Sequence, residues 1–444
     1  MMKLTPYPEY KDSGSPAAPN IPGQWAVHRC RYLFQEVDER SKDGQEIHLS
    51  MSQKHGLIDS SKIDKWRLQS ESYAGGKVCQ NGDLVLNRLK AHLGVFAHAK
   101  QSGVVSPDYT VLRPVTDDNP RFFEILFKSP HFITEFTKST KGIVKGFWRL
   151  YTDDFYSIRA VVPPPEEQQQ ILKFIDSLTA RANKFIRNKR RLIELLKEQK
   201  QNVINQAVTR GLDPNVKFKP SGVEWIGDIP EHWEVRKLKH IAAMKSGDNL
   251  TSDQIAEAGA YPVYGGNGLR GYFTNYNKDG KYLLVGRQGA LCGNVHRVEG
   301  KFWATEHAVV TDVRSGILTD WYYYMLAVMN LNQYSESAAQ PGISVEKIQN
   351  LRTALPSLEE QEAIVSHIER ETATIDYTIS RAQREIELMR EYRTRLIADV
   401  VTGQVDVRGI EVPEVAEDEL LALEEDTADA DDVIDDEGDM DETD

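Results

Sequence analysis

Cysteine is scarce in this sequence. Cys30, Cys79 and Cys292 are the only three in 444 residues, and they lie far apart with no CxxC pairing. Such spacing indicates neither a zinc site nor a disulfide framework, and it fits a reducing cytoplasm. Nowhere do 18 consecutive apolar residues occur, and the opening MMKLTPYPEYKDSGSP lacks the apolar core of a signal peptide, so no membrane span or anchor is expected. A P-loop GxxxxGKS/T and an HExxH are also missing. GNGLRG at 266–271 does satisfy GxGxxG, but a dinucleotide site needs its last glycine to open a helix, and the YFTNYNKDG that follows is a poor helix former. No catalytic constellation stands out, and the chain is expected to do no chemistry alone.

Basic charge is missing from one end only. From Glu411 to Asp444 there are 18 acidic residues and no Lys or Arg, which reads as a solvated, disordered tail, with a nucleic-acid mimic or assembly contact as the sharper alternative. Without that tail the 54 basic residues face 49 acidic ones, so positions 1–410 carry +5 although the whole chain carries -13. The body therefore remains open to a nucleic-acid partner. Its length calls for two to four domains at about 100–200 residues each.

The chain is written twice. PPPEEQQQILKFIDSL from Pro163 matches LPSLEEQEAIVSHIER from Leu355, with Glu166, Glu167 and Gln168 falling on Glu359, Glu360 and Gln361, a shift of 193 that holds without a gap to Asp213 and Asp406. IPGQWAVHR from Ile21 matches IPEHWEVRK from Ile229 with a shift of 208, and LVLNR ending at Arg88 matches LLVGR ending at Arg287 with a shift of 199. The changes in length fall between these anchors, so the halves share a scaffold and differ in what it carries.

The repeated end of each half predicts one long helix. Prolines 163–165 precede the first, Ser357 with Glu360 forms a capping box for the second, and Gly211 and Gly403 end them. Glu166 to Thr209 is 44 residues, or about 66 Å. Ile175, Ala182, Leu196 and Val203 recur on a seven-residue grid, interleaved with Leu172, Ile186, Ile193 and Ala207. The second helix repeats the stripe with Ile368, Ile375, Ala382, Met389 and Leu396, interleaved with Val365, Ile379, Ile386 and Val400. This pattern predicts a coiled coil, each helix being the partner of the other; two amphipathic helices, each packed on its own domain, are the alternative, which Lys189 in the seam and the wider face at Phe185 and Leu192 favour. A two-fold relation between the halves makes the helices antiparallel and puts the variable domains at opposite ends.

The fold class expected is α+β: two pseudo-repeated domains separated by two long helices. The boundaries read are 1–160 and 229–354 for the variable domains, 161–213 and 355–408 for the helices, 214–228 for a linker and 409–444 for the acidic tail. Strand-like runs (LVLNRL, VVSPDYTVLRP, KYLLVGR, EHAVVTDV) alternate with glycine and asparagine loops, and helices are expected near Phe122–Phe127 and Trp321–Met329. Candidate DNA contacts are Lys54, His55, Asn87, Arg88, Lys141, Lys145 and Arg149 in the first domain. In the second they are Gly266, Asn267, Arg270, Arg287, Gln288 and Gln340. Arg, Lys, Asn and Gln read base edges in the major groove, and glycine lets a backbone come close. Arg88 and Arg287 stand out as matched strand ends, a place where a repeated structural salt bridge would look the same.

YPEYKDSG near Tyr7, PSGVEWIGDIPEHWEVRKL from Pro220 and the EEQ-led long helices together resemble the specificity subunits of type I restriction-modification systems, over about residues 7–408. The resemblance implies two target-recognition domains, each reading one half of a bipartite double-stranded DNA site, with the helices setting the gap. It also implies partners. Two modification subunits, which bind S-adenosylmethionine and methylate adenine, would dock on the helices, and motor-nuclease restriction subunits using ATP and Mg would join them. The Asn-Pro-Pro-aromatic tetrapeptide of the modification subunit is absent, so no cofactor or metal is expected in this chain. A coiled-coil scaffold that joins proteins without reading DNA is the competing function.

Overall fold

The computed structural model describes residues 4–52, 56–62, 73–142, 148–289, 291–335 and 342–413. The chain forms two units, one from Met1–Lys189 with Arg384–Asp444 and the other from Arg190–Gln383. The division runs through both long helices. The acidic run beyond position 413, expected to be a disordered tail, lies outside the described residues.

In the first unit the buried run Leu84, Val85, Leu86 makes a central strand, because a strand covered on both faces reads as continuously apolar. The strand order is Phe34–Val37, Tyr109–Pro114, Leu84–Asn87, Phe96–His98, all antiparallel. Helices Pro120–Phe127 and Pro130–Ser139 cover the sheet with Phe122, Phe123, Phe127, Phe132 and Phe136, all fully buried. Phe34 and Phe123 meet edge to face at 5.1 Å. Asn119 starts the first of these helices by accepting the Arg121 amide.

The second unit repeats this frame. Its strands Ala242–Ser246, Ala308–Val313, Lys278–Gly286 and Val295–Ala304 lie in the same order. The register repeats as well: Leu84 opposes Leu112 and Leu283 opposes Thr311, each pair displaced by 199. Differences fall outside the frame. The first unit adds the pairs Leu49–Ser52 with Gly56–Asp59 and Lys77–Cys79 with Gly103–Val105, whereas the second adds the hairpin Tyr261–Gly265 and Gly268–Phe273. The stretch read as a linker carries strand Phe218–Pro220 paired with Asp228–Pro230, the counterpart of Tyr10–Asp12 with Asn20–Pro22.

The long helices span Pro165–Arg210 and Leu358–Val401. Within each unit, a half of one lies antiparallel to a half of the other. In the first unit Lys189 pairs with Glu385 at 2.6 Å and Arg393 donates to Asn183 at 2.7 Å, partners that run in opposite directions along the two helices. In the second, Lys200 pairs with Asp376 at 2.6 Å, while Ile204, Ala207 and Val208 share a core with Ile364, Val365 and Ile368. Lys189, the misfit of the seam, is thus neutralised by Glu385 and also lies 5.3 Å over the Phe185 ring.

Leu172, Ile175, Ala182, Ile186, Ile193, Ile368, Ile375, Ala382, Ile386, Leu396 and Val400 are buried as the stripe predicts. Leu196, Val203, Ile379 and Met389 are only half-buried, and Ile204 takes the interior place expected of Val203. A helix of 3.6 residues per turn drifts about 20° per heptad against a seven-residue grid, which moves the buried position by one. The alternative of helices packed on their own domains holds at the ends: Ile171, Phe174 and Val401 belong to the first domain's core, and Val208 and Ile364 to the second's. Gly211 and Gly403 terminate the helices at φ +74 and +77, where a Cβ on Gly403 would come 2.4 Å from Pro22 Cδ. No described helix is long and apolar enough to cross a membrane.

Helix Pro120–Phe127 is tied to the sheet by Glu124, which meets His98 Nδ1 and Lys128 Nζ. Burial opposes ionisation of this carboxyl, but Lys128 and His98 outweigh it and hold it at about 2. Because the folded value lies below the unfolded one, its contribution to stability is full above the ordinary carboxylate range and is lost as pH falls towards 2. Glu124→Gln should therefore lower stability at pH 7 by about 1–3 kcal/mol and flatten the acid limb between about pH 4.5 and 2, measured by urea unfolding across pH. An unchanged acid limb would show that the carboxylate is not coupled to folding.

Candidate nucleic-acid interface

Strand Leu84–Asn87 ends at a tight turn that Asn87 builds. Its Oδ1 accepts the amides of Leu89 and Lys90 at 3.0 and 3.1 Å, starting the 3-10 turn Arg88–Leu93, which Gly94 closes at φ +72. Asn87 is fully buried and shapes the loop. Arg88, beside it, is half-buried; its Nε donates to the Asp108 carbonyl at 2.8 Å, and Nη2 lies 3.9 Å from the Asp108 carboxylate.

The Arg88 carbonyl accepts the Leu150 amide at 3.0 Å and so ties this strand end to the loop carrying Lys141 and Arg149. Those two exchange backbone hydrogen bonds of 2.9 Å in both directions. Lys141 Nζ pairs with Asp154 at 2.6 Å, and Arg149 is exposed. Trp148, which sequence reasoning missed, stands edge-on to His92 at 5.6 Å and is 37% exposed. Arg88, Lys141 and Arg149 thus come together on one rim of the domain; Lys54, His55 and Lys145 lie outside the described residues.

The second domain builds the same rim with other side chains. Arg287 follows strand Lys278–Gly286, its amide donates to the His307 carbonyl at 2.9 Å, and its own carbonyl accepts the Ile343 amide at 3.0 Å. Ile343 stands 193 residues after Leu150, so the backbone tie is repeated. The side-chain tie is not: Arg287 Nη1 donates to Ser246 Oγ at 3.1 Å, and among the described residues no carboxylate pairs with it. A salt bridge copied by duplication therefore does not account for the two arginines.

Gln288 is exposed and bridges to Gly342. The hairpin tip leans on this strand end, since a Cβ on Gly286 would come 2.2 Å from the Gly266 carbonyl oxygen. Gly266 is buried and supplies that close approach, while Asn267 at the tip and Arg270 are exposed; Arg270 Nη2 is 3.4 Å from Ser252 Oγ. Asn267, Arg270, Arg287 and Gln288 are thus assembled, whereas Gln340 lies outside the described residues. Gly271 falls inside strand Gly268–Phe273 and opens no helix, which disposes of the dinucleotide motif. The turn Thr305–His307, another rim element, was missed, although it matches Ser106–Asp108 at the same displacement of 199. Among the described residues no His, Cys, Asp and Glu cluster could hold a metal ion.

The family described as the type I restriction modification DNA specificity domain matches residues 26–195 and again 230–388. The EcoprrI specificity subunit of a type I restriction enzyme from Escherichia coli is 49% identical over 130 residues, covering 28% of this chain and 32% of that protein. The MjaVIII specificity subunit from Methanocaldococcus jannaschii is 24% identical over 330 residues, covering 67% of this chain and 72% of that one. In three dimensions a chain from a type I R-M system assembly aligns with a TM-score of 0.65 at 16% identity, over 86% of this chain and 98% of that one. The HsdS subunit from Thermoanaerobacter tengcongensis gives 0.50 at 15% identity with the same coverage. These likenesses show the fold. With two matched domains on one repeated frame, this chain belongs to the type I restriction modification DNA specificity domain family and carries that domain twice.

Proposed function

We propose that this chain is the specificity subunit of a type I restriction-modification complex, in which each domain reads one half of a bipartite double-stranded DNA site. The observation that carries this reading is a frame repeated in strand order, register and backbone ties that presents different side chains at the same rim. Such a pair suits two unlike half-sites. Arg287, Gln288, Asn267 and Arg270 on one rim, and Arg88, Lys141 and Arg149 on the other, are the side-chain types that pair with base edges and phosphates.

In this proposal the chain does no chemistry. Two modification subunits would supply adenine methylation with S-adenosylmethionine, restriction subunits would supply cleavage with ATP and Mg, and the setting would be the cytoplasm. The helices would dock the modification subunits and fix the gap between half-sites. Methylome sequencing of a host with and without the gene tests the reading: one adenine motif of two short parts with a fixed gap should vanish with the gene. Loss of no such motif would reject it.

Arg287→Ala should weaken binding by about 1–3 kcal/mol and relax one half-site only, if its contact is bidentate to a base. Arg88→Ala should do the same for the other half. Binding of the assembled methyltransferase to duplexes altered in either half checks both, and variants that bind normally would return these arginines to a structural role.

Residues of both units lie on one unbroken helix of 46 residues. Inserting four residues after Glu198 adds about 6 Å and slightly more than one turn. At about 3.4 Å per base pair, the preferred gap should lengthen by one or two base pairs with the half-site sequences unchanged. The methylated motif of the variant is the readout; an active variant with an unchanged gap would show that the helix is not the ruler.

A further inference from the structure

The turn Thr305–His307 holds polar atoms that the fold leaves unmatched. Thr305 Oγ1, Glu306 Oε2 and, on the preceding strand, His296 Nε2 are buried with no hydrogen-bond partner among the described residues. Buried polar atoms in native proteins are overwhelmingly satisfied, because leaving one unmade is costly, so three at one place call for a ligand or water to complete them. Two of them, on Thr305 and His296, lie at the hairpin tip. A Cβ on Gly265 would lie 3.6 Å from Thr305 Oγ1 and one on Gly268 3.8 Å from His296 Nε2, and these two glycines face each other across the hairpin. A Cβ on Gly266 would lie 3.0 Å from the His307 carbonyl oxygen and 3.6 Å from the Arg287 amide nitrogen. Thr305 Oγ1 and His296 Nε2 therefore sit against the glycines of the tip, and the turn that carries Glu306 is bonded through the His307 carbonyl to the strand end that carries Arg287 and Gln288.

Glu306 is the informative member. Its side chain is 34% exposed, and its one partner among the described residues is His307, with Nε2 3.2 Å from Oε1. A carboxylate has two acceptor oxygens and, when ionised, no donor. In the first domain Asp108, which matches His307 at the displacement of 199, is engaged by Arg88; in the second, Arg287 is turned to Ser246, and the acid of the turn, Glu306, is paired with His307. An acid on a DNA-reading rim is repelled by phosphates, and a hydrogen-bond donor on the DNA would offset that repulsion. In the major groove that donor is an exocyclic amino group. Adenine pairs it with the N7 acceptor and suits Asn or Gln, whereas the N4 amino group of cytosine suits an acceptor-only carboxylate.

We propose that Glu306 is a specificity-determining residue of the second domain, accepting a hydrogen bond from the N4 amino group of a cytosine while His307 holds its carboxylate. Rotation about the last side-chain torsion, which is broad and shallow, presents the unmatched oxygen to the base. The assignment rests on the DNA-reading function proposed above.

The test uses the full chain assembled with its modification subunits and a duplex bearing the wild-type methylation motif, with each base pair of the second half-site replaced in turn. The wild type should discriminate roughly 5- to 150-fold at one C·G pair. Glu306→Gln should lose that preference and accept A·T there, with every other position and the first half-site unchanged; Glu306→Ala should flatten the same position. Glu306→Gln keeps the shape of the side chain, so it carries the test if the alanine variant does not fold. Unchanged preferences in Glu306→Gln, no C·G pair in the wild-type half-site, or a loss spread evenly over both halves would each overturn the assignment alone. A wild type with no two-part preference would overturn the DNA-reading function, and this assignment with it.

Discussion

The first turn of each long helix carries a carboxylate that accepts an indole N–H: Trp25 Nε1 reaches Glu167 at 2.9 Å, and Trp233 Nε1 reaches Glu360 at 3.1 Å. The next residue completes the joint. Gln168 donates to the Pro163 carbonyl and accepts the Asn119 amide, while Gln361 donates to the Pro356 carbonyl and accepts the Leu318 amide. Each glutamine thus bonds the chain entering the long helix and the segment that starts the domain's covering helix. Glu167 is nearly buried, and a buried carboxylate is tolerable only with donors around it, here Trp25, Tyr7 and Gln24. At Glu360 burial is likewise outweighed by hydrogen bonds from His232, Trp233 and Ser357, which hold its carboxyl below the usual range. Each joint fixes a domain to a helix end.

Because the joints lie on the frame, the rims can vary without disturbing it. Each rim hangs from a backbone tie, Arg88 to Leu150 in the first domain and Arg287 to Ile343 in the second, which needs no particular side chain. The side chains are then free to diverge. Arg88 is steadied by Asp108, whereas Arg287 rests on a serine hydroxyl and stands beside an acid that another residue holds. Two rims of unlike chemistry thus arise from one architecture, which suits the two unlike half-sites proposed.

The duplicated helices were legible in the sequence, because helical period, caps and a gapless repeat all act over short separations. The buried stripe at Ile175, Ala182, Ile368 and Ile375 came from spacing alone, but the place of Ile204 over Val203 did not, since helical drift accumulates slowly along the chain. The EEQ wording marked the helix starts, yet its partners Trp25 and Trp233 lie more than 120 residues away and only the fold brings them in. Loops were the least legible. Asn87 and Arg88 are neighbours with opposite fates, one buried as a cap and one on the rim, and local composition does not separate them. Glu306 went unseen because an acid in a strand-flanking turn looks ordinary until its missing partners are counted.

The central claim is that each domain is an independent reader set on a shared frame. The pair of strands Glu234–Lys237 and Arg352–Leu355, closed by the Leu238 amide on the Leu351 carbonyl, offers a natural joint for exchange. The most direct measurement is the methylated motif of a host whose chain has residues 238–351 replaced by the corresponding segment of another family member. The account predicts that one half of the motif changes to that of the donor while the other half and the gap stay as they were. A motif altered in both halves, or one left unaltered in an active chimera, would contradict it.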